Sequence, residues 1–188
     1  MLFYTMPLKI CLNFVKLYQF PTSNRQQTDL NSLFLISPSD MTIFSEYSID
    51  GVIIPDIPFE ERGKLLPFSN KYGVDIISLI APSSKERIAK IASSAQGFVY
   101  CVSSMGVTRV RNEIKTDLTS IISAIKATTN VPIAAGFGIS TPQQASEISA
   151  YADGIIVGSA IVKIIEEYGD NATKPLYEYV RAMKQAIG

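Results

Sequence analysis

Two glycine-rich segments are the first places in this sequence where chemistry can sit. Residues 135–140 read Ala-Gly-Phe-Gly-Ile-Ser, and residues 157–160 read Val-Gly-Ser-Ala. Each follows a short apolar run, and the second opens straight into a helical pattern. Glycine lets backbone N–H groups approach a ligand, and a helix N-terminus carries partial positive charge, so the two together suit a phosphate. In a barrel of alternating strands and helices, such a site commonly forms from the loops after the last two strands. A strand-end glycine also serves simply as a tight turn. Two such ends on consecutive strands favour the anion, with Gly136, Gly138, Gly158 and Ser159 as the expected clamp.

Other candidates are weaker. The polar stretch 103–112 (Ser-Ser-Met-Gly-Val-Thr-Arg-Val-Arg-Asn) is either a functional lid or a solvated connector. Asp56 ends an apolar run between Pro55 and Pro58; a capping or orienting role is favoured over catalysis. Tyr100 lies inside an apolar run, where a packed core tyrosine is favoured over one that stacks on a ring. Its neighbour Cys101 points to the opposite face and reads as inert core. Lys163, Glu166 and Glu167 read as a solvated helix face.

Absences narrow the chemistry. There are no histidines in 188 residues, which removes Ser-His-Asp and Cys-His triads and most zinc sites. No metal is expected, and acid–base work falls to Asp, Glu, Tyr, Lys or Cys. Lys plus Arg and Asp plus Glu are 17 each, so no basic field exists to hold nucleic acid. Cys11 and Cys101 make no disulfide framework, which fits a reducing cytoplasm. No apolar run approaches the ~20 residues of a membrane span. Residues 1–20 are apolar but interrupted by Pro7, Lys9, Asn13 and Lys16, with no small-residue cleavage site, so no signal peptide is expected.

The elements that must position these groups follow from hydrophobic pattern. Short apolar runs at 52–57, 75–80, 98–103, 132–135 and 154–157 predict five strands. Between and after them lie helical patterns at 60–70, 84–95, 117–128, 142–150, 160–168 and 174–187. Gly63 and Pro67 weaken the first helix. Ser83 or Ser84 caps the second, and Thr141 caps the fourth with Pro142 at its first position. The strands are continuous apolar runs, which predicts burial on both faces and a parallel sheet flanked by helices. That leaves a (β/α)8 barrel or an open doubly wound sheet. A leucine-rich solenoid lacks its signature here. Residues 1–44 do not join the rhythm: a helix is expected within 2–20 after Pro7, then a polar loop over 22–29 and one short strand at 33–36.

Taken together, Asp50-Gly-Val-Ile-Ile-Pro-Asp-Ile-Pro58, Gly97-Phe-Val-Tyr-Cys-Val-Ser103, Gly106-Val-Thr108, Gly136-Phe-Gly-Ile-Ser140 and Gly158-Ser-Ala-Ile-Val-Lys163 resemble the α chain of tryptophan synthase. The resemblance covers residues 45–188. It implies an α/β fold, an incomplete TIM-type (β/α)8 barrel of about five βα units, corresponding to strands 4 to 8. It implies retro-aldol cleavage of indole-3-glycerol phosphate to indole and glyceraldehyde 3-phosphate, with no cofactor in this chain. Pyridoxal phosphate is expected only in a partner β chain, to which indole passes through a tunnel. By the same resemblance Gly138, Gly158 and Ser159 are phosphate ligands. Ile53, Leu79, Tyr100 and Phe137 line the indole pocket, and Thr108 belongs to the lid. Arg109 stands where the family usually has glycine, a departure that bears on lid closure.

The family's two catalytic carboxylates come from a motif of the form E-x-G-x-P-F-S-D-P, and residues 1–50 hold nothing like it. Glu46 and Asp50 stand in the wrong context, so no catalytic residue is assigned. The expectation is a chain with a non-matching segment 1–44, out of frame or irregular, that joins the family's frame just before Ser45. Such a chain is either an impaired lyase or a non-catalytic remnant that keeps a phosphate site or a β-chain surface. An isomerase barrel of the same pathway is disfavoured by the Gly-Val-Thr loop and the Ile-Pro-Asp strand end. Open barrel edges predict low stability or self-association unless residues 1–44 cover one of them.

Overall fold

The computed structural model describes residues 10–11, 41, 44–46, 49–54, 57–82, 85–102, 111–136 and 138–188. In chain order the strands are β1 (Ile10–Cys11), β2 (Gly51–Ile53), β3 (Asp75–Ile80), β4 (Val99–Val102), β5 (Ile133–Gly136) and β6 (Gly154–Ile156). The helices are α1 (Phe59–Arg62), α2 (Leu66–Tyr72), α3 (Lys85–Ala92), α4 (Arg111–Lys126), α5 (Pro142–Ser149), α6 (Ser159–Tyr168) and α7 (Thr173–Ile187). A 3-10 turn, Gly169–Asn171, joins the last two helices. The five apolar runs become β2 to β6. The chain divides into two compact units, Met1–Leu12 with Ile77–Gly188, and Asn13–Ile76.

In the larger unit the strands lie in the order β1-β6-β5-β4-β3, and the pairings are parallel. A parallel pair needs a crossover connection, which α3, α4 and α5 supply. One face of the sheet, with Ile80, Val99, Cys101, Ala135 and Ile155, packs under the helices against Ile88, Ile122, Ile125, Ile148 and Met183. Burial pushes the Cys101 thiol up to about 12, so it is the inert core group its position suggested. β5 is buried at all four positions, as a two-sided strand should be. In β4 burial alternates: Val99 and Cys101 are buried, Tyr100 and Val102 half-buried. The two faces of this sheet are therefore covered unequally, and the less covered one carries Leu79 and Tyr100.

Asp153, just before β6, pins the register of the β5–β6 pair. Its carboxylate accepts from the Ile133 N–H at 2.9 Å, and its own N–H donates to the Ile133 carbonyl at 2.9 Å. Lys126 reaches the same carboxylate at 3.4 Å, an exposed pair worth little by itself.

Three local expectations are corrected. Within 2–20, Ile10 and Cys11 are extended rather than helical, and they pair in parallel with Ile155 and Ile156. A strand edge presents unpaired N–H and C=O groups, and pairing with them outweighs a local helical pattern. α4 begins at Arg111, so the end of the polar 103–112 stretch is helix. The helix expected over 60–70 is two helices, parted at Gly63–Leu65; Pro67 then falls in the first turn of α2, where its missing N–H is no loss.

The smaller unit packs Met41, Val74 and Ile76 with Phe44, Val52, Leu66 and Phe68. The Asp75 N–H donates to the Asp50 carbonyl at 2.9 Å, alongside β2. Buried Arg62 donates to the Ile76 carbonyl. Burial lowers the Arg62 pKa, opposed by the Asp75 carboxylate. Burial raises Asp75, Asp50 adds to the rise, and Arg62 pulls it back.

Candidate functional site

β5 and β6 run parallel with Gly136 opposite Ile156. Both strands therefore end at the same edge of the sheet, and neighbouring strands lie about 4.8 Å apart. Two residues beyond each paired position comes a glycine, Gly138 in one loop and Gly158 in the other. The loops that carry the expected clamp thus leave side by side.

The three glycines are glycine for different reasons. Gly136 is buried, and a Cβ there would stand 2.6 Å from Tyr100 Cε2, 2.9 Å from the Tyr100 hydroxyl and 3.0 Å from Ile156 Cβ. Its smallness makes room for the Tyr100 ring. Gly138 has φ +76°, a backbone conformation that side chains resist. Gly158, with φ −118°, needs no such freedom, and a Cβ on it would meet nothing within 4 Å. Among the described residues neither backbone nor packing demands a glycine at 158, and none stands within 4 Å of where its Cβ would be.

Gly158 is the N-cap of α6. Its carbonyl accepts from Ile161 at 2.9 Å and Val162 at 3.1 Å, which starts the helix. Among the described residues no side chain caps this end, and its first turn holds no acidic residue. The amides of Ser159 and Ala160 precede Ile161, the first amide to donate within the helix, so the positive end of the helix lies next to an exposed Gly158 and Ser159.

An apolar wall adjoins this edge. Leu79 and Tyr100 are register partners on β3 and β4, both half-buried. Tyr100 pairs in turn with Ala134, two residues before Gly136 on the same face. Burial raises the Tyr100 pKa, so the phenol stays neutral and keeps its proton to donate.

The other expected site residues divide in two groups. Ile53 is half-buried on β2 in the smaller unit, where Glu46 and Asp50 are exposed. Asp56, Thr108, Arg109 and Phe137 lie outside the described residues, as does the Ser83–Ser84 cap. Among the described residues no cluster of metal-binding side chains forms, and no helix is long and apolar enough to cross a membrane.

Past Gly138 the chain is tightly held. Ile139 is buried. The Ser140 and Thr141 amides both donate to Gln144 Oε1, at 2.9 and 3.1 Å, and the Gln144 amide returns a bond to Thr141 Oγ1 at 3.2 Å. Thr141 is the N-cap with Pro142 in the first turn, as the Thr-Pro pattern suggested, and Gln144 completes a capping box. Sequence reasoning missed the next bond: the Tyr179 hydroxyl, on α7, donates to the Ser140 carbonyl at 3.0 Å. No local signal marks a contact between residues so far apart.

Comparison with known proteins adds a family. The profile described as "Tryptophan synthase alpha chain" matches residues 30–188, beginning ahead of Ser45. The tryptophan synthase alpha chain of Lacticaseibacillus casei is 44% identical over 143 residues, covering 76% of this chain and 54% of that one. That of Geobacillus thermodenitrificans is 50% identical over 129 residues, covering 69% and 48%. The solved tryptophan synthase subunit alpha from Campylobacter jejuni superposes with a TM-score of 0.69 at 30% identity, over 76% of this chain and 58% of that one. A chain from the tryptophan synthase α2β2 complex of Pyrococcus furiosus gives 0.68 at 27% identity, over 79% and 59%. This chain spans about half the length of the curated relatives it matches.

Proposed function

The chain belongs to the tryptophan synthase alpha chain family, its parallel strands and helices being part of a (β/α)8 barrel, and from that premise we propose that the edge formed by β5 and β6 holds the phosphate of indole-3-glycerol phosphate. The observation that carries this is Gly158: an unconstrained glycine capping a bare helix N-terminus, beside a second glycine loop. The amides of Gly138, Ser159 and Ala160 are the donors, and the helix dipole favours the dianion. Leu79 and Tyr100, with Phe137 by resemblance, supply the apolar surface for the indole ring, and Thr108 the lid.

The family reaction breaks the bond between indole C3 and the side-chain carbon bearing the hydroxyl. C3 gains a proton and the hydroxyl loses one as it becomes the aldehyde; the indole nitrogen gives up its proton as C3 is protonated and regains one as the carbon–carbon bond breaks. Two carboxylates serve these transfers, and none is assignable in this sequence. Phosphate binding holds substrate and transition state about equally, so by itself it lowers KM without speeding cleavage. Each missing proton-transfer group forgoes about 10²–10⁴-fold in rate. The 188-residue chain is thus a substrate-holding part of the family's barrel, without useful turnover of its own. Its cognate partner is a tryptophan synthase β chain, which carries the pyridoxal phosphate, and its setting is the cytoplasm.

The test is indole release from indole-3-glycerol phosphate by the purified chain, with and without a β chain, alongside phosphate binding followed calorimetrically. Phosphate binding without turnover is expected. A rate in the ordinary enzyme range, about 1–10³ s⁻¹, would overturn the reading and send the search to Asp56, Glu46 and Asp50.

A further inference from the structure

From Gly138 to the start of α5 the backbone is held at several points. Gly136 is held in register with Ile156 and lies against the Tyr100 ring. Ile139 is buried, and the capping box ties the Ser140 and Thr141 amides to Gln144. That box, however, is internal to the α5 end. It fixes Ser140 to its own helix and leaves the Ser140 carbonyl for another partner. The partner is the Tyr179 hydroxyl, thirty-nine residues on in sequence, at 3.0 Å. The Tyr179 ring packs against the hydrophobic core, so the hydroxyl sits at the tip of an anchored lever. Partial burial also raises the phenol's pKa, which keeps it a donor well above neutrality.

We propose that Tyr179 is a positioning residue for the anion site: by holding the Ser140 carbonyl, its hydroxyl fixes the short loop that presents Gly138 to a phosphate. This rests on the phosphate reading of the β5–β6 edge and deepens it. The two loops then differ in where their rigidity comes from. Ser159 and Ala160 are placed by α6 itself, whereas Gly138 is placed from outside, by the terminal helix α7. A loop with φ +76° at its centre has several backbone states open to it, and a bond two residues downstream selects one. Preorganisation of this kind shows as affinity, because the ordering is done before the ligand arrives.

The experiment is a titration of the full chain with inorganic phosphate, read by amide chemical shifts at Gly138 and Ser159, on wild type, Tyr179→Phe and Tyr177→Phe. Tyr177 is on the same helix and 66% exposed, so its hydroxyl is a matched control. Tyr179→Phe should bind phosphate about 3- to 10-fold more weakly, the range set by losing one hydrogen bond. Hydrogen exchange should quicken at Ser140 and Thr141 and stay unchanged in the amides of β5. Tyr177→Phe should match wild type. Equal affinity in Tyr179→Phe and wild type would overturn the proposal. So would exchange that quickens across β5 and α5 alike, since the residue would then be a structural strut only. If wild type itself gives no shift at Gly138 or Ser159, the phosphate reading fails first and the inference goes with it. The two failures are told apart because the second appears before any substitution is made.

Discussion

After β5 the chain leaves Gly136 beneath the Tyr100 ring, passes Gly138 at φ +76°, buries Ile139 and enters α5 through a full capping box with a brace from Tyr179. After β6 it goes from Ile156 through Val157 to Gly158 and straight into α6, with no side-chain cap and no acid in the first turn. The strands are neighbours in register, yet one helix start is capped by a reciprocal box and the other, among the described residues, has no side-chain cap. A helix end without a cap forgoes about 1 kcal/mol. Leaving one bare beside a capped one makes sense if an anion completes it. On the proposed reading the β5 side gives shape and the β6 side gives charge.

The steepest way to break this contrast is at Gly136. A Gly136→Ala change puts a methyl 2.6 Å from the Tyr100 ring and 3.0 Å from Ile156, so overpacking should cost about 1–3 kcal/mol in denaturant unfolding. Adding Tyr100→Ala should recover part of that loss, because the two residues share one space. Strict additivity would mean that the ring is not what fills it.

On the β6 side the sign of the stability effect reverses. In Gly158→Asp the new Cβ meets no described atom within 4 Å and the carboxylate supplies a cap, so stability should hold or rise by a few tenths of a kcal/mol. The same carboxylate occupies the anion's place and repels it, and phosphate affinity should fall at least about tenfold, or 1.4 kcal/mol. Unchanged phosphate binding in this variant would show that the bare helix end is not the binding position.

The smallest effect belongs to the cap that is already satisfied. Thr141→Ala removes the acceptor of the Gln144 amide and should cost about 1 kcal/mol of stability. Its effect on phosphate affinity should be slighter than that of Tyr179→Phe, because the box secures α5 and the tyrosine secures the loop. A larger loss of phosphate binding from Thr141→Ala would assign the loop's position to the box instead.

Much of this was legible along the chain. The apolar runs became β2 to β6, the Thr141 cap with Pro142 after it became a helix start, and the two glycine loops stood out without any structure. These are local signals: hydrophobic period, turn chemistry and side chains that reach three or four residues along the backbone. The motifs around Asp50, Gly97, Gly136 and Gly158 carried the family, since their order and spacing survive in sequence. Sequence also left the carboxylates unassigned, which the reaction chemistry turned into an expected loss of rate.

What local signals could not supply was any contact that depends on which strands lie side by side. Gly136 looks like a phosphate glycine in sequence, and only the β4–β5 register puts Tyr100 against it. Ile10–Cys11 sits in a stretch with a helical pattern, and only the side of β6 makes it a strand. Tyr179 is one of nine tyrosines until the packing of α7 against α5 brings its hydroxyl to Ser140. Parallel strands pair across whole helices of intervening chain, so the residues that meet at this edge are dozens of positions apart. Residue type and period fix what each segment becomes, whereas the strand order fixed which glycine is walled by a ring and which stands open.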